Sequence, residues 1–94
     1  MRVAGLIWLE DIVDKLLAKH GVSKEEVEEV FLDLPAFRFV EKGHRSKENV
    51  YAALGQTGTG RYLVAFFILK TGGQALILSA RNMTETERKR YEKK

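Results

Sequence analysis

The spacing of apolar residues in the first third of the chain predicts two helices joined by a short turn. Apolar residues recur there at intervals of three and four, as they do on one face of a helix. The first helix ends at about His20, because Gly21 can adopt the left-handed conformation that closes a helix. The second runs from about Lys24 to Leu34, where Pro35 stops it. The apolar positions of the two stripes are Leu9, Ile12, Val13, Leu16, Leu17, Val27, Val30, Phe31 and Leu34.

Two capping boxes mark where the later helices begin. Ser23 is followed three positions later by Glu26, and Thr84 is followed in the same way by Glu87. In this motif the hydroxyl accepts a hydrogen bond from the backbone of the glutamate, and the carboxylate accepts one from the backbone of the capping residue. The second box therefore predicts a final helix that begins after Thr84 and continues through Tyr91.

Between Pro35 and the second capping box the pattern becomes that of extended strands. Gly58-Thr59-Gly60 is typical of a hairpin connection. The apolar run Val3 to Trp8 is either a short strand or a lead-in to the first helix. The chain thus predicts one α+β domain over residues 1–94, with two N-terminal helices, an antiparallel sheet of three to four strands and a C-terminal helix. The four clearest strands are Ala36 to Val40, Asn49 to Thr57, Arg61 to Lys70 and Ala75 to Arg81.

The strand from Arg61 to Lys70 carries apolar residues on both of its faces. Antiparallel sheets commonly leave one face in water, and the helices of so small a chain are expected to cover only one face. We interpret the second apolar face as a surface for a partner. The alternative is that the strand is central and that the last helix wraps over it.

Composition narrows the possible chemistry. The 94 residues include no cysteine, which excludes disulfides, thiolate zinc sites and cysteine nucleophiles, and the two histidines lack a metal-binding motif. The longest apolar run, Leu63 to Leu69, is far shorter than the ~20 residues of a membrane helix. Glu10 and Asp11 interrupt the N-terminal apolar stretch, so we expect no signal peptide and a cytoplasmic location. The net charge of +3 permits a polyanionic partner without requiring one.

Several short motifs occur in order along nearly the whole chain. They are Trp8, Lys19-His20-Gly21-Val22-Ser23, Val30-Phe31, Asp33, Leu54-Gly55, Gly60-Arg61, Ser79-Ala80-Arg81, Glu87-Arg88 and Tyr91. In these motifs and their spacing the sequence resembles the BrnT toxins of bacterial type II toxin–antitoxin systems. The resemblance implies a RelE-like fold and an endoribonuclease that needs no metal or other cofactor and that inhibits translation by cleaving RNA. It also implies a partner, a cognate small DNA-binding antitoxin that neutralises the toxin.

Metal-free cleavage of RNA needs fixed cations for the charge that builds on phosphorus, and it needs groups that transfer protons. Arg61 and Arg81 are the candidates for the first task, because each lies at a strand end and matches a motif of the family. His20, His44, Tyr91 and a carboxylate such as Glu26 are the candidates for proton transfer. His20 also continues the apolar stripe of the first helix, which predicts a partly buried side chain. The candidates for RNA binding are Lys19, His44, Arg45, Lys70 and Arg88.

The turn at Gly72-Gly73 decides whether the two arginines face the same way. A two-residue turn places Arg61 and Arg81 on opposite faces of the sheet, and a three-residue turn places them on the same face. The sequence is compatible with both turns.

Some positions depart from the pattern of the family. Apolar or uncharged residues stand where the family usually has polar or charged ones, and this favours an alternative function as a catalytically inactive, BrnT-like protein-interaction module. An RNA-binding protein without cleavage activity is a third possibility. The positions concerned are Leu9, Ile12, Leu16, Asn49 and Val50.

Overall fold

The computed structural model describes residues 1–43 and 48–93. His44 and Arg45, two of the predicted RNA-binding residues, lie outside the described residues. Within the described ranges the chain forms three helices and one five-stranded sheet in the strand order β1-β5-β4-β3-β2. The elements are β1 (Gly5–Ile7), α1 (Glu10–His20), α2 (Lys24–Leu32), β2 (Ala36–Glu41), β3 (Val50–Gln56), β4 (Tyr62–Leu69), β5 (Gln74–Asn82) and α3 (Glu85–Glu92).

The mixed α+β class and the order of the elements are confirmed, but the expectation of three to four strands is wrong. The fifth strand is β1, which pairs in parallel with β5 so that Leu6 stands opposite Ala75. The pairing is extended by a hydrogen bond of 2.7 Å from Ala4 N to Gly73 O. Three residues are too few to show a strand periodicity, and the partner strand lies about seventy positions later in the chain. The sequence pattern therefore left this segment undecided between a strand and a lead-in to α1.

The turn between α1 and α2 forms as predicted. Gly21 closes α1 with φ 59°, and Ser23 opens α2 through a complete capping box. Glu26 N donates to Ser23 Oγ at 3.1 Å, and Ser23 N donates to Glu26 Oε1 at 3.0 Å. Thr84 and Glu87 form the second predicted box at the start of α3. Both boxes are local features, so the sequence alone was sufficient to locate them.

The predicted end of α2 at Leu34 is wrong, because the helix ends at Leu32. Pro35 disfavours helical backbone at the residue before it, and Leu34 instead takes a left-handed conformation with φ 48°. This conformation turns the Leu34 side chain into solvent, where it is 87 % exposed. The expectation that Leu34 belongs to the buried stripe of α2 is therefore wrong as well.

The main core lies between the sheet and the first two helices. α1 packs over β5 and α2 packs over β3, and we call this side of the sheet the helical face. Phe67 is fully buried at its centre, with its ring centroid 5.4 Å from that of Phe31 and 5.9 Å from that of Phe37. The buried residues of this core are Leu16, Val22, Val27, Val30, Ala53, Leu63, Ala65, Phe67, Ala75, Ile77 and Ala80.

The other side of the sheet, which we call the α3 face, carries a smaller core. Met83 and Tyr91 pack there against the buried residues Ala52, Leu54 and Val64. The alternative that the last helix covers the second apolar face is thus confirmed where Tyr91 of α3 packs on β3 and β4. Among the described residues there is no helix with the length and apolar character needed to cross a bilayer.

Candidate functional site

Arg61 and Arg81 lie at the same end of the sheet, which we call the arginine end. β4 begins there and β5 ends there, with Leu63 opposite Asn82 and Val64 opposite Arg81. Arg61 directly precedes β4, and its Nε donates a hydrogen bond of 2.7 Å to Asn82 Oδ1. The antiparallel pairing of β4 and β5 therefore brings together two arginines that are twenty positions apart in the sequence.

The two arginines nevertheless point to opposite faces of the sheet. The turn between the strands is a three-residue one, closed by a hydrogen bond of 2.7 Å from Lys70 N to Gln74 O, and by itself it would place both on one face. A β-bulge adds Leu78 to β5, because Phe66 pairs with Ser79 while the next residue of β4 pairs with Ile77. One extra residue reverses the alternation of faces, so the bulge cancels the effect of the turn.

On the helical face, Arg61 connects β4 to the turn between α1 and α2. Its Nη2 donates to the main-chain oxygen of His20 at 3.0 Å, and its Nη1 donates to that of Gly21 at 2.8 Å. Nη1 also lies 3.2 Å from each carboxylate oxygen of Glu26. With the bond to Asn82, each nitrogen of the guanidinium has a partner within the protein. Arg61 thus caps the end of α1 and neutralises the glutamate that opens α2.

On the α3 face, Arg81 holds the glutamate of the second capping box. Nη1 donates to Glu87 Oε1 at 2.8 Å and Nη2 donates to Glu87 Oε2 at 3.1 Å, which is the parallel, two-bond geometry of a guanidinium with an oxyanion. Nη1 also donates to the main-chain oxygen of Asn82 at 3.1 Å. The guanidinium carbon stands 5.2 Å from the ring centroid of Phe66. Each strand-end arginine is therefore paired with the glutamate of a capping box.

These contacts lower the pKa of both glutamates. The hydrogen bonds from Arg81 are the main cause for Glu87, and together with the Thr84 backbone they overcome the effect of burial and lower its pKa to about 2. Hydrogen bonding to the Ser23 backbone is the main cause for Glu26, with Arg61 adding to it. The hydrogen bonds with Glu87 in turn raise the pKa of Arg81. Both carboxylates are ionised at neutral pH and act there as hydrogen-bond acceptors.

The side chain of His20 is exposed, so the expectation of a partly buried histidine is wrong. The chain turns at Gly21, and Val22 enters the core in its place with no exposed surface. Val22 N donates to Leu16 O at 3.2 Å, which holds this turn against the last part of α1. Lys19 is exposed as well. His20 contributes its main-chain oxygen to Arg61 and presents its imidazole to solvent at the arginine end.

Tyr91 and Arg88 lie on the α3 face with Arg81. The Tyr91 ring meets that of Tyr62 edge to face with the centroids 6.0 Å apart, and the Arg88 guanidinium carbon lies 4.1 Å from the centroid of the Tyr62 ring. Burial is the main cause that raises the pKa of Tyr91, and the negative charge of Asp33 adds to it. The Tyr91 phenol is therefore protonated at neutral pH.

Lys70 is separated from the other predicted site residues. It follows the far end of β4, where its Nζ lies 3.5 Å from Glu48 Oε1. It is nine positions of extended chain away from Arg61, or about 30 Å. Two residues at the arginine end, Asn82 and Tyr62, were missed by the sequence reasoning because they act through contacts with other strands or with α3.

In the described part of the chain, no group of three or more His, Cys, Asp or Glu side chains is placed to hold a metal ion.

Comparison with known families gives one match. The sequence matches, over residues 8–87, the family described as "Ribonuclease toxin, BrnT, of type II toxin-antitoxin system". No curated protein matches the chain. The matched range contains both arginines and both capping boxes, whereas Arg88 and Tyr91 lie beyond it.

Proposed function

Because the chain belongs to the BrnT family of ribonuclease toxins of type II toxin–antitoxin systems, we propose that it inhibits translation by cleaving RNA at the arginine end. The reaction needs no metal ion or other cofactor, and a cognate antitoxin, a small DNA-binding protein, neutralises the toxin. The observation that supports the site best is the grouping of Arg81, Arg88 and Tyr91 on the α3 face, which combines two cations with a protonated phenol.

The chemistry assigned to this face is transfer of the phosphodiester to the ribose. The 2′-hydroxyl gives its proton to solvent water as its oxygen forms a bond to phosphorus, the bond from phosphorus to the 5′-oxygen breaks, and the products are a 2′,3′-cyclic phosphate and a free 5′-hydroxyl. Arg81 binds two non-bridging oxygens and stabilises their charge. Tyr91 donates the proton that the leaving 5′-oxygen takes up. Arg88, held over the Tyr62 ring, binds a neighbouring phosphate.

Arg61 has a positioning role in this proposal. Each of its nitrogens is hydrogen-bonded to the protein, and two of the acceptors are the carbonyls at the end of α1. A phosphate could displace these bonds only by uncapping α1 and leaving the Glu26 carboxylate without its cation. Arg61 therefore holds the α1–α2 turn, with Lys19 and His20, at the arginine end, where these two exposed side chains are available to bind RNA.

The positions that depart from the family pattern are compatible with this site. Leu16 is buried and Ile12 packs against the same core, so packing explains their apolar character. Asn49 Oδ1 accepts a hydrogen bond of 3.2 Å from Gly43 N, away from the arginine end. None of these three residues contacts Arg81, Arg88 or Tyr91 in the described structure.

The test is cleavage of RNA by the purified protein in the presence of a chelator. We expect the wild-type protein to degrade RNA to fragments with 2′,3′-cyclic phosphate ends, and we expect Arg81→Ala to lose this activity. Arg38→Ala on the edge strand β2 is the control and retains it. In cells, expression of the wild-type chain arrests growth and coexpression of the cognate antitoxin restores it. Intact RNA with the wild-type protein, or full activity of Arg81→Ala, would contradict the proposal.

A second candidate function is that of a catalytically inactive interaction module. It is favoured by an exposed apolar segment between the end of α2 and the edge strand β2, where Leu32 is 84 % and Leu34 is 87 % exposed. Phe39 and Val40 on β2 are exposed as well. Harmless expression together with tight binding of the antitoxin would select this function, whereas growth arrest that depends on Arg81 would exclude it.

A further inference from the structure

We propose that Glu87 is an internal latch on Arg81, occupying the place that an RNA phosphate takes on the guanidinium and thereby reducing the affinity of the site for RNA. The inference rests on the proposed function and concerns the regulation of that site. The ligand class is a phosphate oxyanion, and the source to which we assign it is the backbone of single-stranded RNA.

The geometry of the pair supports the substitution of one oxyanion for another. Arg81 presents Nη1 and Nη2 to the two oxygens of the Glu87 carboxylate at 2.8 Å and 3.1 Å. A phosphate offers two oxygens to the same fork of N–H groups. The carboxylate and a phosphate cannot both occupy that fork, so binding of RNA to Arg81 requires Glu87 to withdraw.

Arg81 remains oriented when Glu87 withdraws. Its hydrogen bond to the main-chain oxygen of Asn82 and its position over the Phe66 ring do not involve Glu87. The two N–H groups released by Glu87 are then available to a phosphate with little reorganisation of the arginine. Arg61 differs from Arg81 in this respect, because its other hydrogen bonds go to the main-chain oxygens at the end of α1 and a phosphate would have to break them.

The first turn of α3 determines how firmly the Glu87 carboxylate is held beside Arg81. Thr84 N donates to Glu87 Oε1 at 2.8 Å and Glu87 N donates to Thr84 Oγ1 at 3.2 Å, so the capping box fixes the carboxylate beside Arg81. α3 has eight residues, and none of them is buried. A helix of this length has little stability of its own, and its first turn can open without disturbing the main core.

The chain contains a matched control for this latch. Glu26 occupies the same position in its capping box and also pairs with an arginine, but on the helical face and through Nη1 of Arg61 alone. Glu26→Gln and Glu87→Gln remove the same charge, and glutamine preserves the capping-box hydrogen bond to the backbone in both helices. A difference in RNA affinity between the two variants therefore reports the local role of Glu87 and not the change in net charge.

The experiment measures binding of a fluorescent single-stranded RNA that carries 2′-deoxyribose throughout its cleavable positions, by anisotropy at several salt concentrations. We expect Glu87→Gln to bind about three- to tenfold more tightly than the wild-type protein and with a steeper salt dependence, the slope gaining about 0.7 for one added phosphate contact. We expect Glu26→Gln to stay within twofold of the wild type. Thr84→Ala loosens the same latch without altering Glu87, and it is expected to tighten binding as well.

Equal affinities of the wild-type protein and Glu87→Gln, or equal gains in Glu87→Gln and Glu26→Gln, would overturn the latch. If no variant binds RNA, the proposed function fails. Titration with inorganic pyrophosphate then tests, independently of RNA, whether Glu87 competes with phosphate for Arg81. In that arm the Arg81 Nε–H resonance is followed by NMR. Half-saturation at a lower concentration in Glu87→Gln than in the wild type supports the latch, and identical titrations contradict it.

Discussion

Arg61 and Glu26 are separated by 35 positions in the chain, and Nη1 of the arginine lies 3.2 Å from both oxygens of the glutamate carboxylate. The contact joins the start of β4 to the first turn of α2. Arg61 reaches from the same place to the two carbonyls at the end of α1. A single side chain thus connects β4 to the end of α1 and the start of α2, and its removal leaves several polar groups without partners.

Replacing Arg61 by alanine is expected to lower the free energy of unfolding by about 2–4 kcal/mol, since the Glu26 carboxylate and two helix-terminal carbonyls lose a charged donor. Chemical denaturation followed by circular dichroism measures the change. Arg38 is exposed on β2 and makes no side-chain ion pair among the described residues, so Arg38→Ala is the control and shifts the value by less than about 0.5 kcal/mol. Normal stability of Arg61→Ala combined with loss of RNA cleavage would show that Arg61 contacts the substrate directly.

Replacing Tyr91 by phenylalanine is expected to slow RNA cleavage about 100-fold, because the leaving oxygen loses its proton donor. The ring stays in its contact with Tyr62 and with the smaller core, so the thermal midpoint changes little. Single-turnover cleavage of an end-labelled RNA measures the rate. Tyr62→Phe removes a phenol whose hydroxyl is bonded to Glu92, and this variant is expected to stay within threefold of the wild type. A similar loss in both variants would argue against Tyr91 as the donor.

The parts of the structure that could be predicted depend on neighbouring residues. Ser23 with Glu26, and Thr84 with Glu87, specify the starts of α2 and α3 within a single turn of chain. The mixed α+β class follows from the change of apolar period after Pro35. The capping boxes act within about four residues and the apolar period acts within each element, so the sequence pattern is sufficient to predict both.

The parts that could not be predicted depend on pairing across the sheet. The bulge at Leu78 sets the faces of Arg61 and Arg81, and no local signal in β5 distinguishes it from regular strand. The exposure of His20 depends on Val22 filling the core beside α1, although the apolar stripe alone placed His20 on the buried side. The faces of the two arginines and the exposure of His20 depend on packing between distant segments, so the spacing of apolar residues along the chain does not predict them.

A side chain at Gly55 in β3 is expected to destabilise the packing of α2 on the sheet. A Cβ at this position would lie 2.9 Å from Val30 Cγ1 and 3.3 Å from Val30 O, where α2 packs on the sheet. Gly55→Ala should lower the free energy of unfolding by about 1–3 kcal/mol through overpacking, measured by urea denaturation. Gly58→Ala is the matched control, because its Cβ would meet Glu29 Oε1 at an ordinary 3.6 Å. Equal stability of the two variants would show that α2 moves freely away from β3.

Acid should weaken the fold through Glu87. Its pKa is about 2 in the folded protein, against an ordinary value of 4.5, because Arg81 and the Thr84 backbone stabilise the charged carboxylate. The unfolded chain therefore binds a proton more readily, so the stabilisation is complete above about pH 5 and is lost as the pH falls from 4.5 towards 2. We expect the wild-type protein to exceed Glu87→Gln by about 1–2 kcal/mol at pH 7, with solvent screening included, and by little near pH 2. Urea unfolding at pH 7, 5, 4 and 3 measures this difference.

Glu85 on the same helix is the control. Its side chain is 84 % exposed, and Glu85→Gln should match the wild type at every pH. A constant offset between the wild type and Glu87→Gln across this range would show that the Arg81 pair does not stabilise the charged form of Glu87 in the folded state.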